Sequence, residues 1–205
     1  MDPMDYRPTL NEEQKAWLHA HAYEILSFVA RGRSAGIWLV ERNGKRFVAK
    51  AEHSHSTRMG MLAKEARFLK TANESKLGPR LVHVDVPHNM MVMEFIEGIP
   101  LGKWLKENKS KLKLQKVMNG VFAQAKKLDA VGLDHGQLGG KLHNVLVSKK
   151  GDVWIIDFEK ASEVRAPQNV RVLEHELLSG KTLVSKHARE LLGEKSANQL
   201  IERWY

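Results

Sequence analysis

The 205-residue sequence contains no cysteine, which excludes disulfide bonds, thiolate metal ligands and cysteine nucleophiles. It also lacks any run of about 18 apolar residues that could span a membrane. The N-terminus does not combine a basic stretch, an apolar stretch and a cleavage site, so we expect no secretory signal. We therefore expect a protein of the reducing cytoplasm with no membrane association.

Acidic residues are also few, because 24 Asp and Glu stand against 33 Lys and Arg, giving a formal net charge of +9. A charge of this sign favours an anionic partner such as a nucleotide, RNA or an acidic protein. A basic surface that contacts only solvent is the alternative. The hydrophobic share of 42% is enough for a core, and the length suits one large domain or two small lobes.

The first quarter of the sequence predicts a helix followed by a three-stranded meander. Residues 1–24 are expected to form a loose arm, over residues 1–10, and then a helix capped by Asn11. Three short apolar runs typical of strands follow, at residues 25–30, 37–40 and 46–50. Asn43 and Gly44, between the last two runs, form the strongest short hairpin signal available.

A glycine turn and a charged pair in this region favour phosphate binding. Gly32 and Gly36 lie between the first two predicted strands, where backbone N–H groups without a neighbouring Cβ can approach a phosphate. Lys50 ends an apolar strand, where a charge is costly without a partner. Glu65, in the predicted helix over residues 58–71, would hold the Lys50 ammonium group over nucleotide phosphates. The alternative is a solvated Lys50 and a Glu65 that pairs locally on the helix surface.

Two further runs, residues 80–84 and 89–95, complete a predicted five-stranded sheet. The polar, glycine-ended segment 94–98 then marks a boundary between two lobes. We place a first lobe at residues 25–97 and a second at residues 98–205. The second lobe is mostly helical, with helices predicted at residues 100–107, 111–131, 169–178 and 185–205.

A short hairpin in the second lobe brings two metal-binding residue types together. Two apolar, largely β-branched runs flank a Lys-Lys-Gly-Asp turn, and Asn144 and Asp157 lie at the open end. One amide oxygen and one carboxylate suit Mg²⁺, which keeps part of its water shell and takes substrate phosphates. The alternative is a surface hairpin with an Asx turn at each end.

The order of these features resembles that of protein kinases: glycine turn, strand lysine, helix glutamate, hinge, catalytic loop and metal-binding aspartate. The sequence most closely resembles the small RIO-type and KEOPS-complex kinases of archaea and eukaryotes, from residue 25 to the C-terminus. The resemblance implies an α+β, bilobal, protein-kinase-like fold. Its first lobe would contain a five-stranded antiparallel sheet with one helix, and its second lobe would be compact and mostly helical. It also implies ATP and Mg²⁺ as cofactors.

The resemblance assigns roles to individual positions. Lys50 would anchor phosphates, with Glu65 as its helix partner, and Asn144 and Asp157 would bind the metal. Lys141 would contact the transferred phosphate, and Gln137 occupies the position of the catalytic base. Met93 would be the gatekeeper. The backbone from Glu94 to Gly98, which includes Phe95 and Ile96, would hydrogen-bond adenine.

The sequence also departs from the kinase pattern. Gln137 replaces the catalytic Asp, and an amide is not a useful proton base near neutral pH. The loop is longer by Gly139 and Gly140, and Glu159 replaces the glycine of Asp-Phe-Gly. No Ala-Pro-Glu element follows, so the protein phosphoacceptor is not identifiable. Asp134, just before the loop histidine, is a candidate substitute acid–base group.

Two functional classes follow from this pattern. Because phosphoryl transfer depends mainly on positioning and charge neutralisation, loss of the base predicts a slow serine/threonine kinase or an ATPase. The alternative is a pseudokinase scaffold that binds nucleotide together with RNA or a protein partner through its basic surface.

Other clusters carry weaker signals. The pairs His19 with His21 and His53 with His55 do not aim both imidazoles at one metal, so we expect no zinc site. The five tryptophans are too dispersed to form a stacking platform for bases. A lysine-rich segment is either an RNA or acidic-protein surface or a solvated helix pair, and it contains Lys103, Lys106, Lys109, Lys111, Lys113 and Lys116.

Overall fold

The computed structural model describes residues 9–32, 34–53, 60–108 and 110–204. Most of the predicted arm, the start of the predicted helix 58–71, and Arg33, His55 and Lys109 lie outside these ranges. Contacts between α-carbons divide the chain into two compact units. The first unit runs to Lys70 and includes Pro79–Phe95; the second comprises Thr71–Gly78 and the chain from Ile96 onwards.

The first unit is built on a five-stranded, fully antiparallel sheet with the order β1-β2-β3-β5-β4. The predicted strands are all present, and most extend one or two residues further than the apolar runs indicated. Asn43 and Gly44 make the tight β2–β3 turn with φ of 52° and 69°, the left-handed conformation this turn requires. The strands are β1 Glu24–Arg31, β2 Ala35–Arg42, β3 Lys45–Glu52, β4 Leu81–Asp85 and β5 Met90–Glu94.

Helix α1 (Glu12–Ala20) begins at Asn11, whose side chain accepts the Gln14 N–H while the Gln14 side chain accepts the Asn11 N–H. This reciprocal cap explains where the helix starts. Leu10 and Leu18 are buried in one core with strand residues such as Trp38. The prediction of a loose arm through residue 10 was therefore wrong at its end, because Leu10 is part of the core.

The second unit combines a small antiparallel sheet, in the order β6-β7-β8, with helices. Its strands are β6 Ile99–Pro100, β7 Val145–Val147 and β8 Val153–Ile155. Strand β6, which the sequence pattern did not predict, pairs with β7 through Ile99 opposite Val147. The predicted helix 100–107 therefore begins only after Pro100, because that residue ends β6.

The helices are α2 Met61–Glu74, α3 Leu101–Glu107, α4 Lys111–Ala130, α5 Asn169–Glu174, α6 Leu183–Leu192 and α7 Glu194–Trp204. The single predicted helix 169–178 is α5 followed by a π-helical turn, His175–Ser179. The predicted closing helix 185–205 is interrupted at Gly193, whose φ of 81° ends α6. None of the helices in the described ranges is long and apolar enough to cross a membrane.

Candidate functional site

Lys50 and Glu65 form a buried ion pair in the first unit. Lys50 lies near the end of β3, and Glu65 lies in the second turn of α2. The Lys50 Nζ is 2.6 Å from the Glu65 Oε1, and the two side chains are 10% and 3% exposed. The structure thus contains the predicted pair and excludes the alternative in which both residues are solvated. Its contact with nucleotide phosphates stays a prediction.

Glu52, which sequence analysis missed, caps the helix that carries Glu65. Its carboxylate accepts the Gly60 N–H at 3.0 Å and the Leu62 N–H at 2.7 Å. The residue is buried at the end of β3, two positions after Lys50. Because unpaired N–H groups at a helix start favour an acceptor, this carboxylate fixes where α2 begins. An acidic residue at a buried strand end was the available signal.

Only one of the two predicted turn glycines lies in the turn. The Gly32 N–H donates to the Ala35 carbonyl at 2.8 Å, which closes the β1–β2 connection. Gly36 lies inside β2, opposite Ala51 of β3, and the Trp38 indole covers its α-carbon. The prediction that Gly36 belongs to the turn was therefore wrong, because its missing side chain makes room for that ring.

The predicted hinge begins at the end of β5. Met93, the predicted gatekeeper, is buried opposite Val48 of β3. The Glu94 N–H donates to the Arg80 carbonyl at 2.8 Å, and its carboxylate accepts the Arg80 N–H at 3.2 Å. The Glu94 amide is therefore already used, whereas Phe95 and Ile96 are partly exposed.

The β7–β8 hairpin brings the predicted metal-binding residues to one end of the second unit. Val145 lies opposite Ile155, and the Ile156 N–H donates to the Asn144 carbonyl at 2.9 Å. Asp157 follows directly, in a left-handed conformation with φ of 66° and ψ of 74°. This conformation costs a residue other than glycine about 1–2 kcal/mol. Residues held in sparsely populated backbone conformations are common at functional sites.

His135 is completely buried and organises the loop that carries Gln137. Its Nε2 lies 3.0 Å from the Ile156 carbonyl, and its Nδ1 accepts the Gln137 N–H at 3.3 Å. Burial lowers the pKa of His135 below its ordinary value. Both facts indicate a neutral imidazole with its proton on Nε2, so His135 positions the loop and does not act as a base.

Gln137 is held through its backbone. Its N–H binds His135, and its carbonyl accepts the Asn144 amide at 3.1 Å. The Gln137 side chain is exposed, as is Lys141. Asn144 uses its nitrogen in this contact, so the contact does not consume the oxygen, the atom that would bind a metal.

A cavity of about 730 Å³ adjoins Gln137 within the second unit. It is lined by Gly136, Gln137, Gly139 and Arg165, among others. The Arg165 Nε donates to the Asp134 carboxylate at 2.7 Å, and its Nη2 donates to the Lys160 carbonyl at 2.6 Å. Asp134 is thus an ion-pair partner of Arg165 through one carboxylate oxygen, and its suggested role as a substitute acid–base group stays a prediction.

Asn169, at the start of α5, anchors the same loop and was also missed. It is 1% exposed and connects three segments. Its oxygen accepts the His135 N–H, and its nitrogen donates to the Leu133 carbonyl and to Asp129. Asp129 also accepts the backbone N–H groups of Asn169 and Val170. A carboxylate near the end of α4 therefore caps the start of α5.

Comparison with known proteins places these features in a family. A family model for the RIO domain matches residues 12–195. The chain belongs to the RIO-domain family. It is 35% identical over 100 residues to an uncharacterized protein of Methanocaldococcus jannaschii, covering 49% of this chain and 83% of that protein. It is also 35% identical over 99 residues to the KEOPS complex subunit Bud32 of Pyrococcus abyssi, covering 46% of this chain and 42% of that protein.

Among solved structures, the RIO-domain chain is similar to the kinase PK-1 of Cydia pomonella granulovirus. The TM-score is 0.57 at 16% identity, and the match covers 72% of this chain and 55% of that chain. The matched regions span about half the length of Bud32 and of PK-1. The likeness to PK-1 concerns the fold and confirms the predicted α+β, bilobal, protein-kinase-like architecture.

The donor types in the RIO-domain protein fit a hard divalent cation. Asn144 and Asp157 supply an amide oxygen and a carboxylate at one hairpin end, which suits Mg²⁺. Within the described ranges, no three His, Asp or Glu residues lie close enough to hold a metal ion by themselves. His19, His21 and His53 lie in the described ranges and His55 lies outside them.

Proposed function

We propose that this RIO-domain protein is an atypical serine/threonine protein kinase that binds ATP with Mg²⁺. The buried Lys50–Glu65 pair carries this proposal. Burying two charges costs several kcal/mol, so a pair of this kind is weak evidence for stability and better explained by a role in the site. The ammonium group, fixed by Glu65, supplies positive charge for nucleotide phosphates.

Asn144 and Asp157 would hold the Mg²⁺. The bound ion would neutralise charge on the phosphates and hold their oxygens in position. The chain contributes the position of these two ligands, since the Ile156–Asn144 backbone bond fixes their spacing. Phe95 and Ile96 are the proposed backbone partners of adenine, because the Glu94 N–H is already bound to Arg80.

Gln137 sets the proposed rate of the reaction. Its backbone is held on both sides, by His135 and Asn144, so the position usually taken by the base is preorganised. Its amide can orient a hydroxyl or a water molecule but does not remove a proton effectively. We therefore propose slow transfer to a protein hydroxyl, or slow hydrolysis with water as acceptor.

A second candidate is a nucleotide-binding pseudokinase that serves as a scaffold. Gln137 favours it, because an amide does not accept the proton of the acceptor hydroxyl effectively, and one oxygen of the neighbouring Asp134 carboxylate is already bound to Arg165. The relative Bud32 is a subunit of the KEOPS complex, so binding to a protein or RNA-associated complex is the corresponding function here. Both candidates are proposed to act in the cytoplasm.

The test follows phosphate from γ-labelled ATP with Mg²⁺, using this chain, Gln137→Asp and Asp157→Ala. The kinase proposal predicts label on protein or released as phosphate, loss of both in Asp157→Ala, and a faster rate in Gln137→Asp. Asp152→Ala, in the exposed β7–β8 turn, is the matched control and keeps its activity. No turnover in any variant, with thermal stabilisation by nucleotide, would favour the scaffold. Absence of both signals would contradict the nucleotide site itself.

A further inference from the structure

A lysine-lined groove lies on the second unit, formed by the start of α4, the end of α3 and the β7–β8 turn. Its volume is about 240 Å³. Four lysines line it together with Trp104 and a single carboxylate, that of Glu107, and these lysines are Lys113, Lys116, Lys149 and Lys150. Residues far apart in sequence thus bring positive charge to one place. None of them belongs to the proposed nucleotide site.

The positive charge of the groove is only partly balanced. The Lys116 Nζ donates to the Lys150 carbonyl at 2.7 Å and lies 3.2 Å from the Asp152 carboxylate. Lys149 is 3.9 Å from Glu97, with both side chains largely exposed, and such a pair contributes little. Among the described residues, Lys113 and Lys150 form no side-chain ion pair. Glu107 is itself 3.9 Å from Lys103.

Trp104 gives the groove a flat apolar wall. The side chain is partly exposed, and its α3 neighbours Leu101 and Leu105 are buried, which anchors the helix. The dispersed tryptophans were not expected to form a stacking platform, and one ring serves one base at a time. Aromatic rings beside cationic side chains are the common arrangement of single-stranded nucleic-acid sites, since bases stack while lysines contact phosphates.

We propose that this groove binds single-stranded nucleic acid. An acidic peptide would satisfy the lysines but would leave the indole face without a planar partner. The remaining polar side chain in the groove is that of Asn108. Its amide nitrogen donates to the Ser110 carbonyl, and its oxygen accepts the Ser110 N–H. Stacking on an indole face and lysine contacts to phosphates are both available to any base, so we expect binding to tolerate different sequences.

The experiment measures fluorescence anisotropy of a labelled 20-nucleotide oligouridylate with the intact chain at several salt concentrations. Lys113→Ala/Lys150→Ala should weaken binding at least about tenfold and reduce the slope of log K against log salt by about 1.4, since each lost phosphate contact accounts for about 0.7. The matched control is Lys45→Ala/Lys70→Ala, which removes the same charge from two exposed lysines of the first unit. It should retain wild-type affinity within about twofold.

Trp104→Leu tests the stacking wall separately. It should weaken binding about fivefold or more without changing the salt slope, because a stacked base contributes about 1 kcal/mol or more and no phosphate contact is lost. Circular dichroism of each variant establishes that the fold is retained.

Three results would overturn the proposal. The first is equal weakening in the two lysine double variants, which would mean that net charge alone binds the probe. The second is binding of poly-glutamate, but not of oligouridylate, that depends on Lys113 and Lys150, which would make the partner an acidic protein. The third is equally tight binding of duplex RNA of the same length, which would remove the role of Trp104. ATP turnover is measured alongside, so failure of the nucleotide site is scored separately.

Discussion

The side-chain oxygen of Asn169 accepts the His135 N–H at 2.9 Å, which connects the start of α5 to the loop carrying Gln137. The amide nitrogen donates to the Leu133 carbonyl at 2.8 Å and to the Asp129 carboxylate at 2.7 Å. Both hydrogens and the oxygen of one buried amide are thus used. The loop is therefore positioned by a residue outside it.

Asn169→Asp should be strongly destabilising. The change removes both donated hydrogen bonds and places a buried carboxylate against Asp129, so we expect a loss of about 2–4 kcal/mol in the free energy of unfolding. Urea unfolding followed by circular dichroism measures it. Asn198→Asp, on an exposed position of α7, is the control and should stay within about 0.5 kcal/mol of the wild type. A loss below about 1 kcal/mol in Asn169→Asp would contradict the network.

Gly136 and Gly140 allow a matched test of the Arg165 position. Both have left-handed backbones, with φ of 76° and 77°, but a Cβ on Gly136 would meet Arg165 and lie 2.6 Å from the Lys160 carbonyl, whereas Gly140 faces open space. Each change to Ala should cost about 1–2 kcal/mol for the backbone conformation. Gly136→Ala should cost about 1–3 kcal/mol more, because packed groups must move. Equal losses in urea unfolding would show that Arg165 is not held as described.

The features that sequence analysis predicted correctly depend on local patterns. The Asn43–Gly44 turn and the short apolar runs indicate the first sheet, because turn chemistry and strand-forming residues act over a few positions. The Lys50–Glu65 pair was also predictable, since a charge at the end of an apolar strand requires a partner. The kinase-like order of these features then indicated the fold.

The features that were missed depend on contacts between distant segments. Glu52 caps α2 across a segment the sequence does not mark, and Asn169 meets Asp129 only because α4 and α5 pack together. Gly36 was assigned to a turn because glycine favours turns. Its lack of a side chain is instead explained by the Trp38 ring, which occupies the space a Cβ would need. Tertiary packing decides each of these roles, and among them only Glu52 had a local signal, as an acidic residue at a buried strand end.

The buried ion pair predicts a specific pattern among variants of Lys50 and Glu65. Lys50→Met alone should cost about 3–5 kcal/mol, because it leaves an unpaired buried carboxylate, whereas Lys50→Met/Glu65→Leu should recover most of that loss. Both variants should lose thermal stabilisation by MgATP if Lys50 binds phosphates. Lys15→Met, which breaks the exposed pair with Glu12, is the control and should cost less than about 1 kcal/mol. Full MgATP stabilisation in the double variant would contradict the proposed role.

The buried neutral His135 predicts that stability falls in mild acid. Burial lowers its pKa below the ordinary 6.5, so below pH 6.5 the unfolded chain takes up a proton that the folded chain does not. The contribution of neutral His135 to the free energy of unfolding is therefore fully present above pH 6.5. It decreases as the pH falls toward the lowered pKa of the folded state, by up to about 1.4 kcal/mol per pH unit. His83 acts in the same direction, because partial burial, then the charges of Arg42 and His21, lower its pKa.

His135→Asn isolates the contribution of His135. The variant should be less stable at every pH, because it loses the contacts to Ile156 and Gln137, but its loss of stability between pH 6.5 and 5 should be smaller than that of the wild type. Urea unfolding in EDTA at several pH values measures the slope of the unfolding free energy against pH in the wild type and in His135→Asn. His143→Asn, at an exposed position, is the control and should keep the wild-type slope. His83 remains in all three proteins, so only the difference between slopes belongs to His135. An unchanged slope in His135→Asn would mean that the imidazole is protonated in the folded chain, and would contradict its assignment as the neutral residue that positions the loop.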